Sequence, residues 1–186
     1  MNQNVTLAVG LIFGASEALL AIAKRRGKQD AASDAGSLRL IWIMVAVSLT
    51  AAFVVAGAFP EGRFRDVELM RVVGVAIFVC GAALRWYAIF YLGAYFTVDV
   101  RIARSQRVID TGPYRFVRHP SYTGVLLEFL GFVLCIGNIW SMLLLVPVVI
   151  VFSYRIRVEE RALEQGLGEA YASYQRRTKR LIPFVY

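Results

Sequence analysis

YTGVLLEFLGFVLCIGNIWSMLLLVPVVIVFSY, residues Tyr122–Tyr154, is a nearly unbroken apolar run, and the way it divides decides the fold. A helix crossing a hydrocarbon core of about 30 Å needs roughly 20 apolar residues, so the run is too long for one crossing. Gly137-Asn138 is a turn signal near its middle and splits it into two helices, expected over 122–136 and 140–164 and joined as an antiparallel hairpin. Three further apolar runs lie upstream, near Val5–Ala23, Leu40–Phe59 and Val72–Phe96. The expected architecture is an all-α integral membrane protein: one membrane domain over 1–186 with five transmembrane helices at about 5–23, 40–59, 72–96, 122–136 and 140–164. The composition agrees, with 58% of 186 residues hydrophobic and 18% charged.

The charges sort by loop. Five Lys/Arg lie between Lys24 and Arg39, five between Arg101 and Arg118 and seven from Arg155 onward, against three between Phe59 and Val72. Seventeen on one side against three on the other puts the N-terminus outside and the C-terminal extension in the cytoplasm. The first apolar run lacks a basic start and is followed by Lys24-Arg25-Arg26, so it is read as a helix of the mature protein and not as a signal peptide. The net charge of +8 follows topology, with some attraction to anionic membrane lipids, and no nucleic-acid partner is expected. Cys80 and Cys135 fall inside apolar helices without a CxxC spacing, which points to packing and to no zinc site.

Outside the helices, Gly27–Ser37 reads as a polar loop. Thr97–Ile102 alternates as an extended segment that could pair with Arg107-Val108-Ile109. Pro120 is suited to open the fourth helix, where its missing N–H costs nothing, and it keeps His119 extended. The fifth helix continues past the membrane until Gly166-Leu167-Gly168, and a short polar helix from about Glu169 to Arg177 carries Tyr171 and Tyr174 on one face.

Two polar blocks carry the chemistry. The loop 97–121 ends in Gly112-Pro113-Tyr114-Arg115-Phe116-Val117-Arg118-His119-Pro120, with the only histidine, and leads to Tyr122 and Gly124; the second block, in the segment 155–186, holds Arg155, Arg157, Glu159 and Glu160. Both fall at the same end of a tight hairpin, so they can form one site for a polar, partly cationic ligand at the bilayer surface. Arg155 and Glu159 could equally be an ordinary i,i+4 ion pair. Adjacent residues on a helix point about 100° apart, so Glu160 faces elsewhere than Glu159. A lone histidine is more often structural than catalytic, and no second His or nearby Cys supports a metal. Glu17, Arg85 and Glu128 lie within membrane helices, where unpaired charges cost about 2.5–3.5 kcal/mol or more; they should face inward and pair. No GxxxxGK[ST], GxSxG or post-strand GxGxxG motif occurs.

Gly112-Pro113-Tyr114-Arg115-x-x-Arg118-His119-Pro120-x-Tyr122-x-Gly124, followed by Arg155-x-x-x-Glu159-Glu160-x-x-Leu163, Gly168-x-x-Tyr171-x-x-Tyr174 and Leu181-Ile182-Pro183, resembles the isoprenylcysteine carboxyl methyltransferase family and its phospholipid methyltransferase relatives. The resemblance runs from about Gly93 to Pro183, and Leu167 departs from a Phe often found before the glycine. It implies an integral membrane methyltransferase that uses S-adenosylmethionine at the cytoplasmic face of a bacterial or archaeal cell membrane. It also implies cofactor binding by Tyr114, Arg118, His119, Pro120, Tyr122, Gly124 and Glu160, with Arg155 and Glu159 orienting a lipophilic or lipidated acceptor. A free lipid acid, a long-chain phenol or pyrone, an aminophospholipid and a prenylated protein C-terminus all suit such a site. Two other readings stay open: an NADPH-dependent sterol-reductase-like enzyme, against which Glu159-Glu160 argues, and a non-catalytic lipid-binding or transport protein.

Overall fold

The structure is a computed structural model, and it describes residues 3–23, 36–96, 107–183 and 185. Among these residues it is all-helical: α1 (Gln3–Ala23), α2 (Ser37–Ala58), α3 (Val67–Leu92), α4 (Pro120–Ile136), α5 (Leu145–Leu167) and α6 (Glu169–Arg177), with short 3-10 turns between them. Three helical stretches are long and apolar enough to cross a membrane, Arg39–Ala58, Val67–Leu92 and Trp140–Leu167, while Asn4–Leu20 and Pro120–Ile136 are shorter apolar helices. Leu11, Ile12, Val54, Phe90, Leu143 and Ile150 all point outward, as expected of helices surrounded by lipid.

The helix ends have local causes. α3 begins five residues before the expected position because the Asp66 side chain accepts from Leu69 N at 2.9 Å and caps it. It ends at Leu92, and Gly93–Tyr95 continue as a single 3-10 turn. α4 opens on Pro120 and ends against Gly137, which is left-handed at φ +80. The expected helix 140–164 is instead a 3-10 turn over Trp140–Leu144 followed by α5, which runs through Gly166 and stops at Gly168, where φ is +55. Glycine at 166 is tolerated because its helical conformation needs no left-handed backbone. No strand forms among the described residues. Arg107–Asp110 are irregular, and Thr97–Ile102, the other half of the expected hairpin, lies outside the described residues, as does most of the loop 27–37.

The packing differs from a simple α4–α5 hairpin. α4 lies chiefly against α3, and α5 chiefly against α2. The cause is a glycine seam. Gly74 and Gly81 on α3 face Gly131 and Gly124 on α4, and each pair is spaced by seven residues, about two turns. A Cβ added at Gly131 would lie 2.5 Å from Gly74 O, and one at Gly81 would lie 2.7 Å from Gly124 O. The two backbones therefore touch, as small residues allow in membrane helices. Phe13 of α1 closes the core edge-on to Phe129 and Phe78, with ring centroids 4.9 and 6.4 Å apart.

The far end of the bundle is tied by Asn138. Its Nδ2 donates to Phe59 O (2.8 Å) and its Oδ1 accepts from Trp140 N (2.9 Å), while Phe64 N donates to Gly137 O and Ile139 N to Gly62 O. The loop after α2 and the turn after α4 thus form one polar knot.

Gly131→Ala forces backbone apart and is expected to cost about 1–3 kcal/mol, as overpacking does. Gly14→Ala, where an added Cβ meets nothing within 4 Å, should be neutral or stabilising by roughly 0.5–1 kcal/mol. Thermal unfolding of both variants in detergent checks the contrast; equal effects would remove the seam from its structural role.

Candidate active site

Three segments meet at the end of the bundle where α4 begins: the loop 110–119, the polar second half of α5, and α6 with the chain that follows it. The loop is shaped locally. Gly112 has φ +56, and a Cβ there would lie 2.5 Å from the Tyr91 ring, so only glycine fits the turn. Pro113 then opens the 3-10 turn Gly112–Arg115. Tyr114 is buried within it and acts as a brace, its hydroxyl donating to Ala88 O of α3 (3.2 Å) and its carbonyl accepting from the Tyr174 hydroxyl of α6 (2.6 Å).

The chain after α6 lies along this loop. Val117 and Lys179 form a parallel bridge, Arg118 N donates to Lys179 O (2.8 Å), His119 N donates to Arg180 O (3.0 Å), and the Thr123 hydroxyl donates to Leu181 O (2.8 Å). These bonds place two arginines and a histidine around one carboxylate. Arg118 Nε donates to Glu160 Oε1 at 2.9 Å, His119 Nε2 lies 3.3 Å from the same oxygen, and Arg180 holds Oε2 through Nε (2.9 Å) and its terminal nitrogen (2.8 Å). Arg118 also donates to Gln175 O at 3.1 Å and to Thr178 O.

Glu160 is only 3% exposed. It lies beyond the apolar part of α5, in the charged stretch that begins at Arg155. Burial alone would raise its carboxyl, but hydrogen bonds from His119, Arg180 and Arg118 outweigh that and hold it at about 2. It is ionised at any physiological pH, and both of its oxygens already have donors.

A second polar chain runs alongside. The Tyr122 hydroxyl donates to Glu159 Oε2 (2.8 Å) and accepts from Arg155 Nε (3.3 Å). The His119 ring stacks on Tyr122, centroids 5.6 Å apart. Arg155 is almost fully buried. Tyr122 thus bonds to both of the residues that the i,i+4 spacing relates. Next to the loop, a cleft of about 490 Å³ is lined mostly by apolar groups, including Leu84 and Tyr87 of α3, Pro113 and Val117 of the loop, Pro120 of α4 and Leu181 of the C-terminal chain.

Of the residues singled out from the sequence, Arg118, His119, Tyr122, Arg155, Glu159 and Glu160 come together here. Pro120 borders the cleft, and Tyr114 braces the loop from behind. Gly124 is elsewhere: it sits in the α3–α4 seam, where an added Cβ would lie 2.7 Å from Arg85 N and Gly81 O. Arg180 was not singled out, since a lone arginine 20 residues beyond Glu160 carries no periodic signal. Deeper in the bundle Arg85 makes a close ion contact with Glu17 (2.5 Å), and Glu128, 1% exposed, has one oxygen without a hydrogen-bond partner. Trp86 Nε1 donates to the Ser16 hydroxyl nearby (3.1 Å).

A profile described as the isoprenylcysteine carboxyl methyltransferase (ICMT) family matches residues 73–165, from α3 through the Glu159-Glu160 block. Protein-S-isoprenylcysteine O-methyltransferase B of Arabidopsis thaliana is 34% identical over 115 residues, covering 60% of this chain and 58% of the plant protein. A probable protein-S-isoprenylcysteine O-methyltransferase of Oryza sativa subsp. indica is 28% identical over 178 residues, 94% of this chain and 92% of its own length. Among solved structures, the eukaryotic intramembrane Ras methyltransferase ICMT superposes with a TM-score of 0.63 at 25% identity, over 77% of this chain and 52% of that one. The chain therefore spans little more than half of two of these relatives and nearly all of the third. Motif, helical fold and profile coincide on the same residues, and the chain belongs to the isoprenylcysteine carboxyl methyltransferase family of membrane enzymes.

Proposed function

We propose that this protein transfers a methyl group from S-adenosylmethionine to the carboxylate of a lipophilic acceptor, at the end of the bundle where α4 begins. The observation that carries this reading is the part-buried Arg155–Tyr122–Glu159 chain beside the stacked His119 ring. The residues fit the cofactor chemically: a carboxylate with tyrosine and histidine ring faces favours a sulfonium cation. When bound, S-adenosylmethionine supplies the methyl group on a positively charged sulfur. Glu159, Tyr122 and His119 are proposed to hold it.

Arg155 is assigned to the acceptor. A guanidinium presents a fork of donors that matches a carboxylate, and a carboxylate acceptor is already a nucleophile, so no general base is required. The main tasks are to align the reactants and to exclude water. Glu160 has another part in this proposal. With both oxygens engaged, it positions Arg118 and His119 and does not contact the ligand. The names of the relatives point to an S-isoprenylcysteine carboxylate as the acceptor class, and the apolar helices suit such a lipid. The excess of Lys/Arg in the loops at this end supports five crossings with the site on the cytoplasmic side.

The protein in lipid nanodiscs, given methyl-labelled S-adenosylmethionine and a prenylated cysteine, should form an alkali-labile methyl ester. A product whose label resists alkali, or no labelled product, overturns the assignment. Glu159→Gln and Tyr122→Phe should each lower kcat/KM by about tenfold or more, the effect of losing a charge-assisted hydrogen bond of roughly 1.5–3 kcal/mol. Glu160→Gln leaves Arg118 and Arg180 without their carboxylate and should lower the melting temperature even without cofactor, whereas Glu159→Gln should leave it nearer that of the wild type. The same two unfolding curves, recorded side by side, check this difference.

A further inference from the structure

α6 carries two tyrosines three residues apart, and their hydroxyls have opposite fates. Both rings are buried, packed edge-on with centroids 6.0 Å apart. Tyr174 donates to Tyr114 O at 2.6 Å and so fastens α6 to the loop. Tyr171 is 3% exposed, and its hydroxyl has no hydrogen-bond partner among the described residues. An unmade hydrogen bond on a buried hydroxyl is destabilising, so phenylalanine would serve packing better at this position. Tyr171 also lies within the field of the site: burial raises its phenol, and the negative charges of Glu160 and then Glu159 add to that effect. The hydroxyl therefore keeps its proton and can donate it in a hydrogen bond.

We propose that Tyr171 is a ligand-binding residue whose hydroxyl finds its hydrogen-bond partner on a polar group of the bound cofactor. The inference rests on the function proposed above, and it adds α6 to the two segments that hold the ligand. It also assigns the twin tyrosines different tasks, Tyr174 holding the helix in place and Tyr171 meeting what binds beneath it. A purely structural tyrosine would behave like Tyr174, because its hydroxyl would be bonded within the fold.

The test compares Tyr171→Phe, Tyr174→Phe and the wild type in detergent, by thermal unfolding without ligand and by calorimetric titration with S-adenosylhomocysteine. Tyr171→Phe should melt at or above the wild-type temperature and bind S-adenosylhomocysteine about tenfold more weakly. Tyr174→Phe should melt lower. Unchanged affinity in Tyr171→Phe, or a loss of stability as large as that of Tyr174→Phe, overturns the proposal. Failure of the wild type itself to bind S-adenosylhomocysteine would instead bring down the function on which it rests, and this inference with it.

Discussion

Backbone contact between α3 and α4 sets the position of nearly everything at the site. Gly74, Gly81, Gly124 and Gly131 remove the side chains that would keep the two helices apart. Lipid offers no hydrophobic drive for helices to associate, so such contact relies on close packing. Once α4 is seated, its first residue, Pro120, and its cap, His119, have a fixed place relative to α3. The Tyr114 hydroxyl then reaches Ala88 O on α3, and the loop is pinned at both ends. The same closeness buries Arg85 and Glu128, which lie four residues beyond Gly81 and Gly124. The charge of Arg85 is met within the bundle by Glu17 of α1.

Glu160 is the second fixed point, and it is electrostatic. Its carboxylate gathers Arg118 from the loop, His119 from the start of α4 and Arg180 from the C-terminal chain. A buried ion cluster of this kind is weak evidence for added stability, because desolvation offsets much of the attraction. Its clear effect is geometric, since three segments far apart in sequence must converge for any one charge to be satisfied. Removing the carboxylate would leave buried cations facing each other.

How much of this was legible in the sequence varies with the reach of the signal. Pro120, Gly168 and the polar stretch of α6 act on their own neighbours, so the corresponding helix ends could be read locally. The meeting of the two polar blocks followed from their being at one end of a hairpin. The seam was not read, because glycines seven apart on two different helices look unremarkable until the helices are paired. The resemblance implies a ligand role for Gly124, yet it faces α3. α4 and α5 were expected to pack on each other because they share a short turn, yet the glycine seam draws α4 to α3. The role of Arg180 depends on the chain folding back beside Val117, a single bridge with no strand pattern to announce it.

The charge pattern bears on the chemistry proposed for the site. Methyl transfer from a sulfonium to a carboxylate consumes one positive and one negative charge. Water stabilises those charges in the reactants more than in the transition state, where they are partly cancelled, so excluding water favours the reaction. An environment that excludes water must still tolerate a cation and an anion before they react. The Arg155–Tyr122–Glu159 chain offers one of each sign, separated by a hydroxyl that bonds to both. In the proposed reaction an arriving anion can engage Arg155 and an arriving cation Glu159, with the Tyr122 hydroxyl bonded to both side chains. Glu160 has both oxygens taken up by its own donors, so it offers no open carboxylate oxygen to compete with Glu159 for a cation. On the proposed chemistry the two adjacent glutamates divide the work, Glu160 joining three segments of the fold and Glu159 meeting the ligand.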